Sequence, residues 1–340
     1  MIRIGTAGWA EARIGASLSR RPGAGYMGPM RRILVIKLGA LGDVVHAFHA
    51  FAAIRAHHAA DRVSLLTTPP FRALVLAAPW FDEVRIDERA AGWNLLAMGR
   101  TARLLRGFDF VYDLQTSRRS NRYFRLAGRP PWSGIAPGCS HPHANPRRDF
   151  MHTIERQREQ LEMAGITRFP PPERVWLAGS GDRHGLADAF ALLMAGGAGV
   201  GSVKRWPVAG YAALARDLAR RGITPVVIGG PAEAGLAASI RAACPAAVDL
   251  TARTAIADIA ALAGRAALAV GNDTGPLHLA ASAGAPTLVL FSRAGVPAQA
   301  APRGPSGEWC AILEEADLST LSAARVIAEV ERLLAAPSAP

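Results

Sequence analysis

The chain has 340 residues, half of them hydrophobic, and 39 Lys and Arg against 27 Asp and Glu give a formal net charge of +12. That length supplies apolar surface for about two domains. No apolar run nears the ~20 residues of a membrane-spanning helix, and three scattered cysteines, Cys139, Cys244 and Cys310, without CxxC or zinc spacing, fit a reducing cytoplasm and argue against a disulfide framework. The positive excess points to an anionic partner, whether nucleic acid, a membrane surface or a phosphorylated substrate.

Residues 1–29 are glycine-rich and without a period, and Arg20-Arg21 is not followed by the apolar stretch of a signal peptide. They read as a disordered arm or a mis-assigned start, with folding expected from Arg31. Arg32–Lys37 reads as a strand covered on both faces, running into the glycine turn Leu38-Gly39-Ala40-Leu41-Gly42-Asp43 and a helix to about His57. Strands follow at Arg62–Thr67, Glu83–Ile86 and Phe108–Leu114, with helices at Phe71–Ala77, Trp93–Arg106 and Ser117–Ala127 between and after them. The stretch 129–148, rich in Pro, Gly and His, reads as a loop, and Phe150–Ala164 as a helix. Pro170-Pro171-Pro172 ends helical pattern and marks a linker over 168–182.

The second half restarts the alternation. Strands are expected at Phe190–Met194, Thr224–Ile228, Ala266–Val270 and Thr287–Phe291, and helices at Val208–Arg221, Glu233–Ala243, Thr274–Ala283 and Ala323–Leu334. Strand-helix alternation at this spacing means βαβ units and parallel sheets. The expected architecture is α/β, two similar doubly wound halves facing a central cleft.

The chemistry gathers at strand-to-helix turns, where open α/β sheets bind ligands. Gly271-Asn272-Asp273-Thr274-Gly275-Pro276-Leu277-His278 joins a buried strand to a helix whose first amides suit a phosphate. Thr274 and His278 are one helical turn apart, and an acid-capped helix with a buried histidine is the plainer reading. Gly196, Gly197, Gly199 and Gly201 precede Lys204-Arg205-Trp206-Pro207, so backbone amides can approach a phosphate that Lys204 or Arg205 neutralises. The spacing is neither a P-loop nor a dinucleotide fingerprint. Glu233, after Ile228-Gly229-Gly230-Pro231-Ala232, could accept from ribose hydroxyls or simply favour the helix dipole. Thr254 could cap a helix or touch a base. In the first half Asp43 sits at a helix N-terminus, placed either to cap it or to act as a general base across the cleft. Arg118, Arg119, Arg122, Arg125 and Arg129 follow Asp113-Leu114-Gln115 and make a basic rim suited to an anionic acceptor or lipid headgroups, or a solvated helix face. No histidine spacing suggests a metal.

Leu38-Gly39-Ala40-Leu41-Gly42-Asp43-Val44-Val45-His46, Asp113-Leu114-Gln115, Lys204-Arg205-Trp206-Pro207, Ile228–Glu233 and Gly271–His278, in that order, resemble the ADP-heptose:lipopolysaccharide heptosyltransferases of glycosyltransferase family 9. The resemblance covers residues 31–335. It implies a GT-B fold of two Rossmann-like domains, an acceptor-binding one over 30–175 and a nucleotide-sugar-binding one over 176–340. It implies inverting transfer of a heptose or related sugar from an ADP-sugar to a lipopolysaccharide core acceptor, with no cofactor or metal required. Asp43 falls on the family's catalytic base and Lys204 on its diphosphate-holding lysine. Asp273, Thr274, Gly275 and His278 match the donor-phosphate motif, Glu233 the acid near the ribose and Thr254 the adenine neighbourhood. Gly42 and Gly199 join the donor set, and Gln115, Arg118, Arg119 and Arg122 the acceptor side. A cytoplasmic protein touching the inner membrane peripherally is implied, with no nucleic-acid partner. Ser292-Arg293-Ala294 stands where an Asp-Pro is common, and Leu41 where some members carry a small polar residue. The competing classes are a GT-B-like nucleotide-sugar epimerase, which needs no second substrate, and a non-catalytic polyanion-binding protein, which leaves Asp43 and Asp273 unexplained.

Overall fold

Parallel strands cannot be joined by tight turns, so each apolar run in this chain is followed by a crossover that returns over a sheet face. The computed structural model describes residues 29–89, 95–178, 184–186, 189–197 and 203–336. Within it Arg31–Pro340 form one compact unit.

The first half contains β1 (Arg32–Ile36), α1 (Leu41–His46), α2 (Phe48–His57), β2 (Arg62–Thr67), α3 (Arg72–Ala77) and β3 (Glu83–Ile86). It continues with α4 (Leu95–Leu105), β4 (Phe110–Asp113), α5 (Arg118–Leu126), β5 (Trp132–Gly134), β6 (His141–Pro142) and α6 (Thr153–Met163). The strands lie in the order β3-β2-β1-β4-β5-β6, every pair parallel. This is the doubly wound order, with its topological switch between β1 and β4. The unbroken apolar run of β1 follows from covering both faces. Ile33 and Val35 pack with Val44, Val45, Phe48 and Phe51 of α1 and α2, while Leu34 and Ile36 pack with Leu105, Tyr123 and Phe124 of α4 and α5.

The second half repeats the plan with β7 (Phe190–Met194), α7 (Val208–Arg220), β8 (Thr224–Val227), α8 (Ala234–Ala243), β9 (Val248–Asp249) and α9 (Ile256–Ala263). There follow β10 (Leu268–Asn272), α10 (Gly275–Ser282), β11 (Thr287–Ser292), α11 (Pro297–Ala300), β12 (Ala311–Glu315) and α12 (Ala323–Ala335). Its order, β12-β11-β10-β7-β8-β9, is the same topology, and its switch falls between β7 and β10. The halves also share an apolar layer, in which Leu277, Leu279 and Ala280 of α10 join Val44 and Val45 of α1.

Several expectations need correction. The helix expected to run unbroken to His57 divides at Ala47, whose N–H reaches back only three residues, to Val44 O. The stretch 129–148, expected to be a loop, contributes β5 and β6, which extend the first sheet by three and two residues, too short to show a period of two. The segments forming β9, α11 and β12 were not anticipated, and α9 only as a helix that Thr254 could cap. Thr254 does not cap α9. Ala255 occupies the cap, its N–H held by Asp258 Oδ2 at 2.8 Å. Thr274, not Asp273, takes the cap position of α10.

Candidate active site

The turn after β1 is fixed from several sides before it reaches Asp43. Gln115 Oε1 accepts from the Leu38 N–H at 2.8 Å, and Thr68 Oγ1 donates to Leu38 O at 3.0 Å. Gly39 adopts φ +117°, a conformation closed to most side chains, and the Phe71 ring fills the space a Cβ would need. Asp43 then sits in the first turn of α1 with Oδ2 accepting from the Ala40 N–H at 3.1 Å. Its side chain keeps 46% of its surface exposed, so the carboxylate is held by the turn and still open to a ligand.

Behind Asp43 lies Lys37, whose Nζ donates to Leu114 O at 3.2 Å and stands 3.9 Å from Asp43 Oδ1. Burial lowers the pKa of this ammonium; Asp43 opposes that shift and the nearby Arg156 of α6 reinforces it. Burial likewise lowers the Arg156 pKa, with Asp43 among the groups opposing it. Sequence reading singled out neither residue. The signal for Lys37 was a lysine closing a strand otherwise apolar on both faces.

In the second half, Asn272 at the end of β10 is a buried hub. Its Oδ1 accepts from Trp206 N–H and Tyr211 O–H, both at 3.1 Å, and its Nδ2 donates to Ala195 O at 3.1 Å and Gly196 O at 2.9 Å. One side chain thereby ties the phosphate-motif strand to the glycine turn after β7 and to the segment carrying Lys204. Gly271 is required there, since a Cβ would come within 2.6 Å of Met194 O. Lys204 is exposed on its turn, while Arg205 Nη2 lies 3.7 Å from Glu233 Oε1. Glu233 Oε2 accepts from the Gly230 N–H at 2.9 Å, and its side chain fills the space left by Gly196 and Gly229. Thr274 caps α10 with its methyl group against Gly197, and its hydroxyl oxygen is buried without a hydrogen-bond partner. The first amides of a helix have no intrahelical acceptor, so a polar, electropositive spot remains there.

The two half-sites meet directly. A Cβ on Gly275 would stand 2.7 Å from Leu41 Cβ and 3.2 Å from Gly42 N, and one on Gly42 would stand 3.1 Å from the His278 ring. A side chain on Gly275 would therefore force the N-termini of α1 and α10 apart, and one on Gly42 would crowd the His278 ring. His278 Nε2 is 3.2 Å from Asp273 Oδ1, and its Nδ1 is 3.0 Å from His46 Nε2. The junction thus joins Gly42, Asp43, Asp273, Thr274, Gly275 and His278. Lys204 and Glu233 belong to the neighbouring turns that Asn272 and Arg205 link. Gln115 braces the turn before Asp43. Arg118 and Arg122 are exposed on α5, which covers the sheet face opposite α1, and Arg119 Nη1 reaches Tyr123 Oη at 3.5 Å. Thr254 is half-buried just before α9, and Gly199 lies outside the described residues. Among the described residues, no group of three His, Cys, Asp or Glu side chains is arranged to hold a metal ion.

Residues 98–310 match the pattern described as glycosyltransferase family 9 (heptosyltransferase). The chain belongs to that family. Lipopolysaccharide heptosyltransferase 1 of Pseudomonas aeruginosa is 29% identical to this family-9 chain over 283 residues, which are 76% of this chain and 78% of that one. The crystal structure of a glycosyl transferase family 9 protein from Veillonella parvula superimposes with a TM-score of 0.72 at 21% identity, covering 89% of this chain and 97% of the other. Escherichia coli heptosyltransferase WaaC, solved with ADP, gives 0.70 at 18% identity, covering 89% and 99%. The shared fold is GT-B, two parallel-sheet halves, and the chain is a glycosyltransferase.

Proposed function

We propose that the chain moves a heptose, or a related sugar, from an ADP-sugar to an anionic lipopolysaccharide core acceptor, with inversion at the anomeric carbon. The observation that carries this reading is the abutment of α1 and α10, which puts a half-exposed carboxylate beside a helix N-terminus built for phosphate. Residues 30–175 bind the acceptor and 176–340 the nucleotide sugar. Asp43 takes the proton from an acceptor hydroxyl, and that oxygen attacks the anomeric carbon opposite the departing ADP. The negative charge that collects on the leaving diphosphate is met by Lys204, the first amides of α10 and the Thr274 hydroxyl. Glu233 receives the ribose, and Thr254 lies toward the adenine. The half-buried Arg156, near Asp43, suits an acceptor that carries acidic groups, while the buried Lys37 backs the carboxylate.

An acceptor anchored in a bilayer asks the enzyme to approach a charged surface. Arg100 and Arg103 of α4, Arg106 just after it, and Arg118, Arg122 and Arg125 of α5 are exposed on two helices that pack together and carry no acidic residue. This face suits anionic headgroups at the cytoplasmic side of the inner membrane. Among the described residues no helix is long and apolar enough to cross a membrane.

The test is direct. ADP-heptose and a heptose-free core acceptor are incubated with the protein, and ADP release is followed with product mass. ADP, UDP and GDP are titrated by calorimetry alongside. Sugar transfer together with preference for ADP supports the reading. Loss of sugar stereochemistry without acceptor points to an epimerase instead, and salt-dependent polyanion binding without ADP recognition sinks the transferase reading.

A further inference from the structure

His46 lies three residues beyond Asp43 on α1, and His278 lies three residues beyond Gly275 on α10. Each histidine is one turn below the end of its helix that faces the reaction. Their rings meet edge to face with centroids 4.6 Å apart, and His46 Nε2 and His278 Nδ1 are 3.0 Å apart. Both residues are nearly sealed from solvent, at 4% and 6% exposure. His152, at the start of α6, packs at 5.1 Å on another side of His46 and donates from Nε2 to Ala301 O at 2.9 Å, so His46 cannot swing away. The carboxylate of Asp273 accepts from His278 Nε2, while His278 Nδ1 and His46 Nε2 share a hydrogen bond whose donor is set by the ring tautomers. Burial, then His278, His152 and Lys37, push the His46 pKa well below the usual range, against a hydrogen bond to the Ala301 backbone.

We propose that His46 is a positioning residue of the transfer reaction. By hydrogen-bonding His278 across the two halves, it fixes the separation between the Asp43 carboxylate and the phosphate-facing end of α10. The role rests on the transferase reading given above. A single helical turn is stiff, so a bond between the two rings sets the spacing of the two helix ends. Misplacement of reacting groups by ~1 Å costs about 100-fold in rate.

The experiment compares His46→Phe, which keeps the volume and loses the hydrogen bond, with His46→Gln, whose amide reaches the place of Nε2. Steady-state turnover of ADP-heptose with acceptor is measured for each, with ADP affinity by calorimetry and thermal denaturation in parallel. We expect His46→Phe to lower kcat by roughly 10–100-fold, with donor KM and ADP affinity within about twofold of wild type, and His46→Gln to restore most of kcat. Wild-type kcat in His46→Phe overturns the proposal. So does a parallel loss of ADP affinity and melting temperature, or a Gln variant as slow as Phe. Should His46→Phe not fold, His46→Asn replaces it, since its shorter amide falls short of His278 and should be slow where Gln is not. A wild-type protein that turns over no ADP-sugar defeats the transferase reading itself. Active wild type with indifferent His46 variants defeats only the positioning role.

Discussion

Gly275→Ala tests the central contact with the smallest possible perturbation. The added methyl carbon would stand 2.7 Å from Leu41 Cβ and 3.2 Å from both Leu41 Cγ and Gly42 N. Carbon atoms rest about 3.5–4.0 Å apart, so the ends of α1 and α10 must separate by roughly 1 Å to admit it. The clash involves a Cβ and a backbone nitrogen, which cannot rotate aside as a long side chain would. Overpacking of this kind costs about 1–3 kcal/mol, against a helix-propensity gain of about 0.5–1 kcal/mol for replacing Gly. Gly275 is the first residue of α10, where that gain is smaller than in a helix interior, so the net expectation is a loss of up to about 2.5 kcal/mol, read from urea denaturation. Moving Asp43 away from the phosphate site by that distance should also slow turnover by up to ~100-fold. Gly99→Ala is the control, because Gly99 lies within α4 and a Cβ there meets nothing within 4 Å. It should gain about 0.5–1 kcal/mol with unchanged turnover. A Gly275→Ala protein as stable and active as wild type would refute the abutment of the two helices.

Three further outcomes are expected. Asp43→Ala should lower turnover by at least ~100-fold with ADP affinity nearly unchanged, and equal turnover removes Asp43 from the base role. Lys204→Ala should raise donor KM and lower kcat together, if it meets the diphosphate before and during bond cleavage as proposed; a change in acceptor KM alone would contradict that placement. Asp113 is buried with Oδ2 unpartnered, and burial pushes its carboxyl up to about 6, against the hydrogen bonds and Lys37 that favour the charge. Its folded value lies above its reference of 3.8, so the proton's contribution to stability is full below that value and lost as pH rises through about 6. Asp113→Asn should therefore gain on wild type between about pH 4 and 7, by up to about 3 kcal/mol in urea midpoint comparisons, and a pH-independent difference refutes this.

How much of this was legible in the sequence depended on element length. Strands of four to six residues with covered faces, such as Arg32–Ile36 and Thr287–Ser292, announced themselves as apolar runs and were placed to within a residue or two. The two- and three-residue strands β5, β6 and β9 carry no period, and their existence is decided by a neighbouring strand that supplies the hydrogen bonds. Asp43, Thr274 and His278 could be found because polar residues at a strand-to-helix turn stand out against apolar flanks. Asn272 was passed over because its importance lies in four partners drawn from two segments 61 to 77 residues earlier in the chain. Arg156 was hidden for a similar reason. On an arginine-containing helix it looks like surface, and only the packing of α6 against α1 brings it toward Asp43.

The repeated topology gives a reason for the site to be where it is. Each sheet has one switch point, and the turn leaving a switch-point strand has no crossover helix covering it from the far side. In the first sheet that turn begins α1, and in the second it begins α10. Two such turns can meet end to end only if neither carries bulk at the contact, which Gly42 and Gly275 satisfy. In the proposed reaction the base on one turn and the phosphate-facing helix end on the other complement each other, because neither half holds both. Separating the halves should abolish transfer even where the second alone still binds ADP, and the His46–His278 bond spans the boundary that such a separation would break.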